Sequence, residues 1–172
     1  MRSLSSRCFA FGTLLYLVSS PTLVVAAPDA SCGDARPVFA CELKGGGTLA
    51  LCAQPLQGPL TGLQYRFARH GRTELQYPRD SYSLRDFKAN HYSRYQVDHQ
   101  QIRFTSGTYS YNVYSRYEGD GGQAETNTAG VAVLDSADRT VADKQCARVT
   151  VDQLSEVLDQ VPCDPDDALG CP

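Results

Sequence analysis

Few residues of this 172-residue chain have the type and spacing for chemistry. They are three histidines (His70, His91 and His99), paired acids such as Asp80 and Asp86, an acidic cluster of Asp164, Asp166 and Asp167, and a hydroxyl-rich stretch from Thr105 to Tyr111. A hydrolytic nucleophile needs a histidine beside a serine or cysteine. The chain has no G-x-S-x-G elbow and no H-E-x-x-H helix signature. His70 adjoins a turn glycine, and His91 and His99 lie in polar stretches, so all three read as surface residues. Two carboxylates make a glycosidase only at a defined separation in space, which spacing along the chain does not supply. The Asp164–Asp167 cluster lacks the glycine and terminal glutamate of a calcium loop and reads as a solvated acidic loop. Zinc pairs of the C-x2-C kind are missing. No catalytic residue, resident metal or cofactor is therefore expected.

The stretch Thr105-Ser106-Gly107-Thr108-Tyr109-Ser110-Tyr111 sets small hydroxyl residues around a glycine between two extended segments. Ser, Thr and Gly are ordinary turn residues, so a plain hairpin turn accounts for each of them. The same turn can also project a hydroxyl from a rigid hairpin into another protein's cleft. Nine of the ten tyrosines fall between Tyr65 and Tyr117, interleaved with Arg66, Arg69, Arg72, Arg94, Arg103 and Arg116. Tyrosine is common in strands, but tyrosine with arginine is also the composition of interface hot spots.

The elements that would hold this stretch follow from the pattern. Val38–Leu43 and Thr48–Ala53 read as strands around the Gly45–Gly47 turn. Leu63–Arg69 alternates apolar and polar residues, His70-Gly71 turns it, and Thr73–Tyr77 returns. Asp80–Arg94 is polar and ambiguous. Tyr92–His99, Gln101–Thr105, Thr108–Tyr117, Gly130–Leu134 and Thr140–Cys146 read as extended, and residues 118–128 as a polar loop. Val151, Leu154, Val157, Leu158 and Val161 recur at three- and four-residue spacing, which predicts a helix over Val149–Val161, capped by Thr150 and stopped by Pro162. The expected fold is mostly β: an antiparallel sandwich or open barrel of about seven or eight strands with one C-terminal helix, stapled by disulfides.

The ends of the chain bear on its compartment. Arg2 and Arg7 precede an apolar run from Phe9 to Val18, and Leu23–Ala27 ends in small residues, the order of a secretory leader over residues 1–27. Ser19, Ser20 and Pro21 interrupt the run, and roughly 20 uninterrupted apolar residues are wanted to span a bilayer, so no membrane anchor is expected. Residues 28–172 then form one domain. Removal of Arg2 and Arg7 leaves 14 basic residues against 19 acidic ones and moves the net charge from −3 to −5. That balance argues against nucleic acid or an anionic membrane as partner and is compatible with a basic protein. Cys8 leaves with the leader. Cys32, Cys41, Cys52, Cys146, Cys163 and Cys171 remain, an even number that reads as three disulfides in an exported protein. Fifteen pairings are possible in principle. The glycine turn suggests Cys41–Cys52 and the acidic loop Cys163–Cys171, which leaves Cys32–Cys146.

In length, leader, cysteine count, β content and the Ser/Thr/Gly/Tyr segment, most of the exported chain resembles the periplasmic immunity proteins paired with type VI-secreted peptidoglycan amidases. These amidases are papain-like Cys/His endopeptidases that cut the peptide stems of the wall. The resemblance implies a periplasmic inhibitor, with no small-molecule substrate of its own, that plugs the amidase cleft. Its contact residues would be Ser106, Gly107, Thr108, Tyr109, Ser110 and Tyr111. Ser110 would be the first choice, and Ser106 the second, for approaching the catalytic histidine. Ser106-Gly107 also looks like the start of the S-G-x-x-Y stretch of periplasmic lysozyme inhibitors, but Ser110 stands where that tyrosine should be. A cell-wall binding module is the remaining alternative.

Overall fold

The computed structural model describes residues 32–119 and 126–172. The leader assigned to residues 1–27 lies outside them, as does part of the loop expected over residues 118–128. Nine strands form one antiparallel sheet: β1 (Arg36–Leu43), β2 (Thr48–Gln54), β3 (Gly62–Arg69), β4 (Arg72–Tyr77), β5 (Phe87–Arg94), β6 (Val97–Ser106), β7 (Tyr109–Glu118), β8 (Thr126–Leu134) and β9 (Thr140–Asp152). Their order is β4-β3-β2-β1-β9-β8-β7-β6-β5. Two meanders, β1–β4 and β5–β8, are thus joined through β9. The 13 residues of β9 divide their pairing: Thr140–Gln145 meets β8, and Cys146–Asp152 meets β1.

The sheet curls until its two ends face each other. Tyr65 on β3 lies 4.9 Å from Phe104 on β6, and Tyr77 on β4 lies 6.1 Å from Phe87 on β5, measured between ring centroids. No ladder joins β4 to β5 among the described residues, so the barrel stays open. Its concave face holds the core, with Phe39, Leu49, Leu51, Leu63, Tyr65, Phe87, Ile102, Phe104 and Val113 all but excluded from solvent. The mostly β, open-barrel expectation holds, with nine strands.

The C-terminal helical segment is shorter than the periodicity suggested. Strand β9 runs on through Val149 and Val151, and two single-turn 3-10 helices, Leu154–Glu156 and Leu158–Gln160, follow it. Two facts account for this. Thr150 donates its hydroxyl to Ala40 O of β1 rather than capping a helix, and Gln153 N bonds Val38 O. β-branched Val149, Thr150 and Val151 favour the strand. The apolar spacing still marked the right burials, since Leu154, Val157, Leu158 and Val161 all belong to the core.

The disulfides are Cys32–Cys52, Cys41–Cys146 and Cys163–Cys171. All six cysteines are bonded, but two of the expected pairs, Cys41–Cys52 and Cys32–Cys146, are replaced. The hairpin register explains the change. Cys52 pairs across from Pro37 and Cys41 from Leu49, so the two cysteines are three positions out of step along β2, and four along β1 where a bulge adds a residue. They also occupy opposite faces: Cys41 lies in the main core, while Cys52 packs with Cys32, Ala35 and Ala50 on the convex side. Disulfides of this number belong to an oxidising compartment outside the cytoplasm. No helix among the described residues is long and apolar enough to cross a membrane.

Candidate partner-binding hairpin

The hydroxyl-rich stretch forms the β6–β7 hairpin. The ladder runs without a register shift from Val97↔Glu118 to Ser106↔Tyr109, leaving Gly107 and Thr108 as a two-residue turn. Gly107 has φ +64 and Thr108 is not in the positive-φ region. Positive φ at the first central position alone is the requirement of a type II′ turn, which matches the strand twist and favours glycine there. Nothing lies within 4 Å of where a Gly107 side chain would begin, and Gly107, Thr108 and Tyr109 are exposed. The tip projects from the body.

Alternation then separates the two serines. Thr105 and Ser110 form one cross-strand pair, their hydroxyl oxygens 3.3 Å apart. Their neighbours on either strand, Phe104 and Tyr111, point into the core. Successive strand residues face opposite sides, so Ser110 and Thr105 lie on the convex face. Ser106 and Tyr109 lie on the concave side, in line with Phe104 and Tyr111. The hairpin therefore does not offer Ser106 and Ser110 on one surface; only the turn itself, Gly107-Thr108, is common to both.

Tyr111 anchors the hairpin. Its ring stacks on Phe104 at 4.9 Å and 4°, and Phe104 in turn stacks on Tyr77 at 4.8 Å. Phe104, Phe87, Tyr77 and Tyr65 build an aromatic bed at the base of the loop. This bed holds the hairpin by packing rather than by a covalent link, since no cysteine lies between β5 and β8.

Ser110 and Thr105 form one wall of a groove of about 350 Å³ at the point where β5 begins. Tyr77 and Phe104 line it, together with the charged residues Arg85, Asp86, Lys88, Arg103 and Asp164. Burial, and secondarily the Asp86 carboxylate, push the Tyr77 phenol above its ordinary range. Of the charged groove residues, Asp86, Asp164 and Arg103 stand out in the sequence, as a paired acid, a member of the acidic cluster and one of the interleaved arginines, whereas Arg85 and Lys88 do not. The signal was hidden because their juxtaposition depends on the β5–β6 register, and residues 80–94 carry no clear alternation.

The remaining chemistry-bearing residues are dispersed. His70 has φ +52 at an exposed turn. His91 meets Asp98 at 2.6 Å and His99 meets Glu118 at 2.9 Å, so each histidine is partnered by a carboxylate. Ser115, the hydroxyl nearest in the same cross-strand row as His91, donates to Asp152 instead. In the acidic loop, Asp164 accepts from Asp166 N and Asp167 from Leu169 N, the side chains serving as turn caps. Among the described residues, no group of three or more His, Cys, Asp or Glu side chains is placed to hold a metal ion.

Comparison of the chain with protein-family models, with curated proteins and with solved structures finds no match.

Proposed function

We propose that this protein is a periplasmic immunity protein that binds a type VI-secreted peptidoglycan amidase of the Cys/His class and blocks its active-site cleft. The observation that carries the reading is the β6–β7 hairpin: a projecting two-residue turn with flanking hydroxyls, fixed on an aromatic bed within an oxidised scaffold. A preorganised loop loses little conformational freedom on binding, which is how rigid inhibitors gain affinity. A hydroxyl brought to the catalytic Cys/His pair would occupy the substrate's place without offering a scissile bond. The leader-like sequence of residues 1–27 and the three disulfides support the periplasm as the working compartment.

The opposed faces of Ser106 and Ser110 refine the pose. A cleft that closes around the tip contacts both faces, whereas a cleft that meets only the convex side contacts Ser110 and leaves Ser106 free. An enzyme panel tests the reading. Purified oxidised protein should inhibit a secreted Cys/His peptidoglycan amidase from the same genome and leave lysozyme active. Inhibition of lysozyme alone would transfer the protein to the muramidase inhibitors, and binding to isolated peptidoglycan without inhibition would make it a wall-binding module.

A further inference from the structure

Lys88 on β5 stands directly opposite Arg103 on β6. The flanking residues on both strands, Phe87, Ala89, Ile102 and Phe104, are core residues, so both cations project from the convex face. Like charges directly opposed across an antiparallel pair are destabilising. Arg103 is partly compensated: it donates through Nε to Asn112 at 2.8 Å and lies 3.5 Å from Asp138. Lys88 and the neighbouring Arg85 are exposed and have no hydrogen-bond or ion-pair partner among the described residues. All three line the groove whose wall carries Thr105 and Ser110. The two acids of the groove, Asp86 and Asp164, offset its three cations only in part and form no ion pair with Lys88 or Arg85 among the described residues: Asp164 accepts from Asp166 N, and Asp86 sits beside Tyr77. A chain with an acidic balance thus keeps an opposed cation pair immediately beside its projecting hairpin.

We infer that this groove is a carboxylate receptor, and that an Asp or Glu side chain on the rim of the inhibited enzyme's cleft bridges Lys88 and Arg103 when the hairpin docks. The inference rests on the proposed inhibitory role and names the chemistry of the partner at its edge. A carboxylate between two cations relieves their repulsion and forms charge-assisted hydrogen bonds. Thr105 and Ser110 share one hydrogen bond between their hydroxyls, which leaves one hydroxyl proton of the pair to donate to it. The free protein would then carry an electrostatic cost at this site that the complex removes.

That cost gives the test a signature of opposite signs. Lys88→Glu turns the opposed cations into an ion pair, so the free variant should melt about 2 °C higher than wild type. The same change should weaken inhibition of the amidase at least tenfold, and wild-type affinity should fall as salt is raised. Lys88→Gln should fall between the two. A Lys88→Glu variant that inhibits within twofold of wild type overturns the inference and leaves the inhibitory role standing. An independent arm uses hexaglutamate as probe, followed by NMR chemical shifts. Shifts centred on Lys88, Arg103 and Ser110 that disappear in Lys88→Glu support the receptor even if no amidase is inhibited. Shifts spread evenly over the protein's other cations, or none, overturn it.

Discussion

The two halves of the sheet are stabilised in different ways. The β1–β4 half is covalently tied: Cys32–Cys52 fixes the segment before β1 to β2, and Cys41–Cys146 fixes β1 to β9. Its ladders are interrupted, with register shifts between β1 and β2, β1 and β9, and β3 and β4. The β5–β8 half contains no cysteine, yet its three ladders run without a shift. Bulges bend a strand and raise its twist, so the stapled half carries the irregularities and the β5–β8 half is the regular platform. The hairpin grows from the platform. In this arrangement the disulfides close the frame, and noncovalent packing determines how accurately the loop is presented.

Breaking the frame should have the largest effect. Cys41→Ser with Cys146→Ser opens a closure of sequence separation 105. The chain-entropy account of such a link gives a loss of about 4 to 5 kcal/mol, visible as a drop on the order of 10 °C in melting temperature. Opening Cys163–Cys171, with a separation of 8, should cost about half as much. If the short link proves the more costly, the long closure is not what holds the frame.

Breaking the platform should cost slightly less stability but more function. Phe104→Ala removes a side chain that stacks on both Tyr77 and Tyr111. A buried Phe→Ala change costs about 3 to 4 kcal/mol, and inhibition should suffer more than folding does because the hairpin loses its bed. Denaturant unfolding and an inhibition assay on the same sample separate the two losses. Equal inhibition per folded molecule would show that the bed does not position the loop.

The hairpin faces are separated by Ser110→Glu and Ser106→Glu. Both side chains are half-buried beside the exposed turn, and Ser110 shares a hydrogen bond with Thr105, so stability should fall by no more than about 1 kcal/mol. Inhibition should fall for Ser110→Glu if the convex face docks, and for both if the cleft surrounds the tip. Intact inhibition in the double variant would contradict the loop assignment.

The smallest effect is one of pH. Hydrogen bonds from Arg139 hold the Asp135 carboxyl below its ordinary value, and Arg148 does the same for Glu42. A carboxyl whose folded pKa is depressed contributes stability above its unfolded pKa and loses it as pH falls through the folded one. The stability gap between wild type and Asp135→Asn should therefore be present at neutral pH and shrink below about pH 4. Thermal melts across pH 2.5–7 check it.

These contrasts also show what the sequence could and could not reveal. Strand positions were legible where residue types alternate, as in Leu63–Arg69 and Thr108–Tyr117, even though Gln64 and Tyr114 on the other face are buried as well. The hairpin was legible because Gly107 lies between two extended runs. The disulfide pairs were not, since Cys41 and Cys52 flank the same glycine turn but fall on opposite faces once the register is set. The end of β9 was misread because Leu154, Val157, Leu158 and Val161 have helical spacing and are buried, yet reach the core from two short turns. The Lys88–Arg103 pair was invisible because no property of either residue alone announces that they meet.

The central claim is that the oxidised scaffold stoppers an amidase cleft with the β6–β7 tip. It is tested most directly by titrating a fixed amount of the secreted Cys/His amidase with the purified protein and following release of peptide stems from peptidoglycan. Activity should fall linearly to zero near one equivalent of wild type, and the Ser106→Glu/Ser110→Glu variant should leave most of it. Full amidase activity in tenfold excess of wild-type protein would contradict the account.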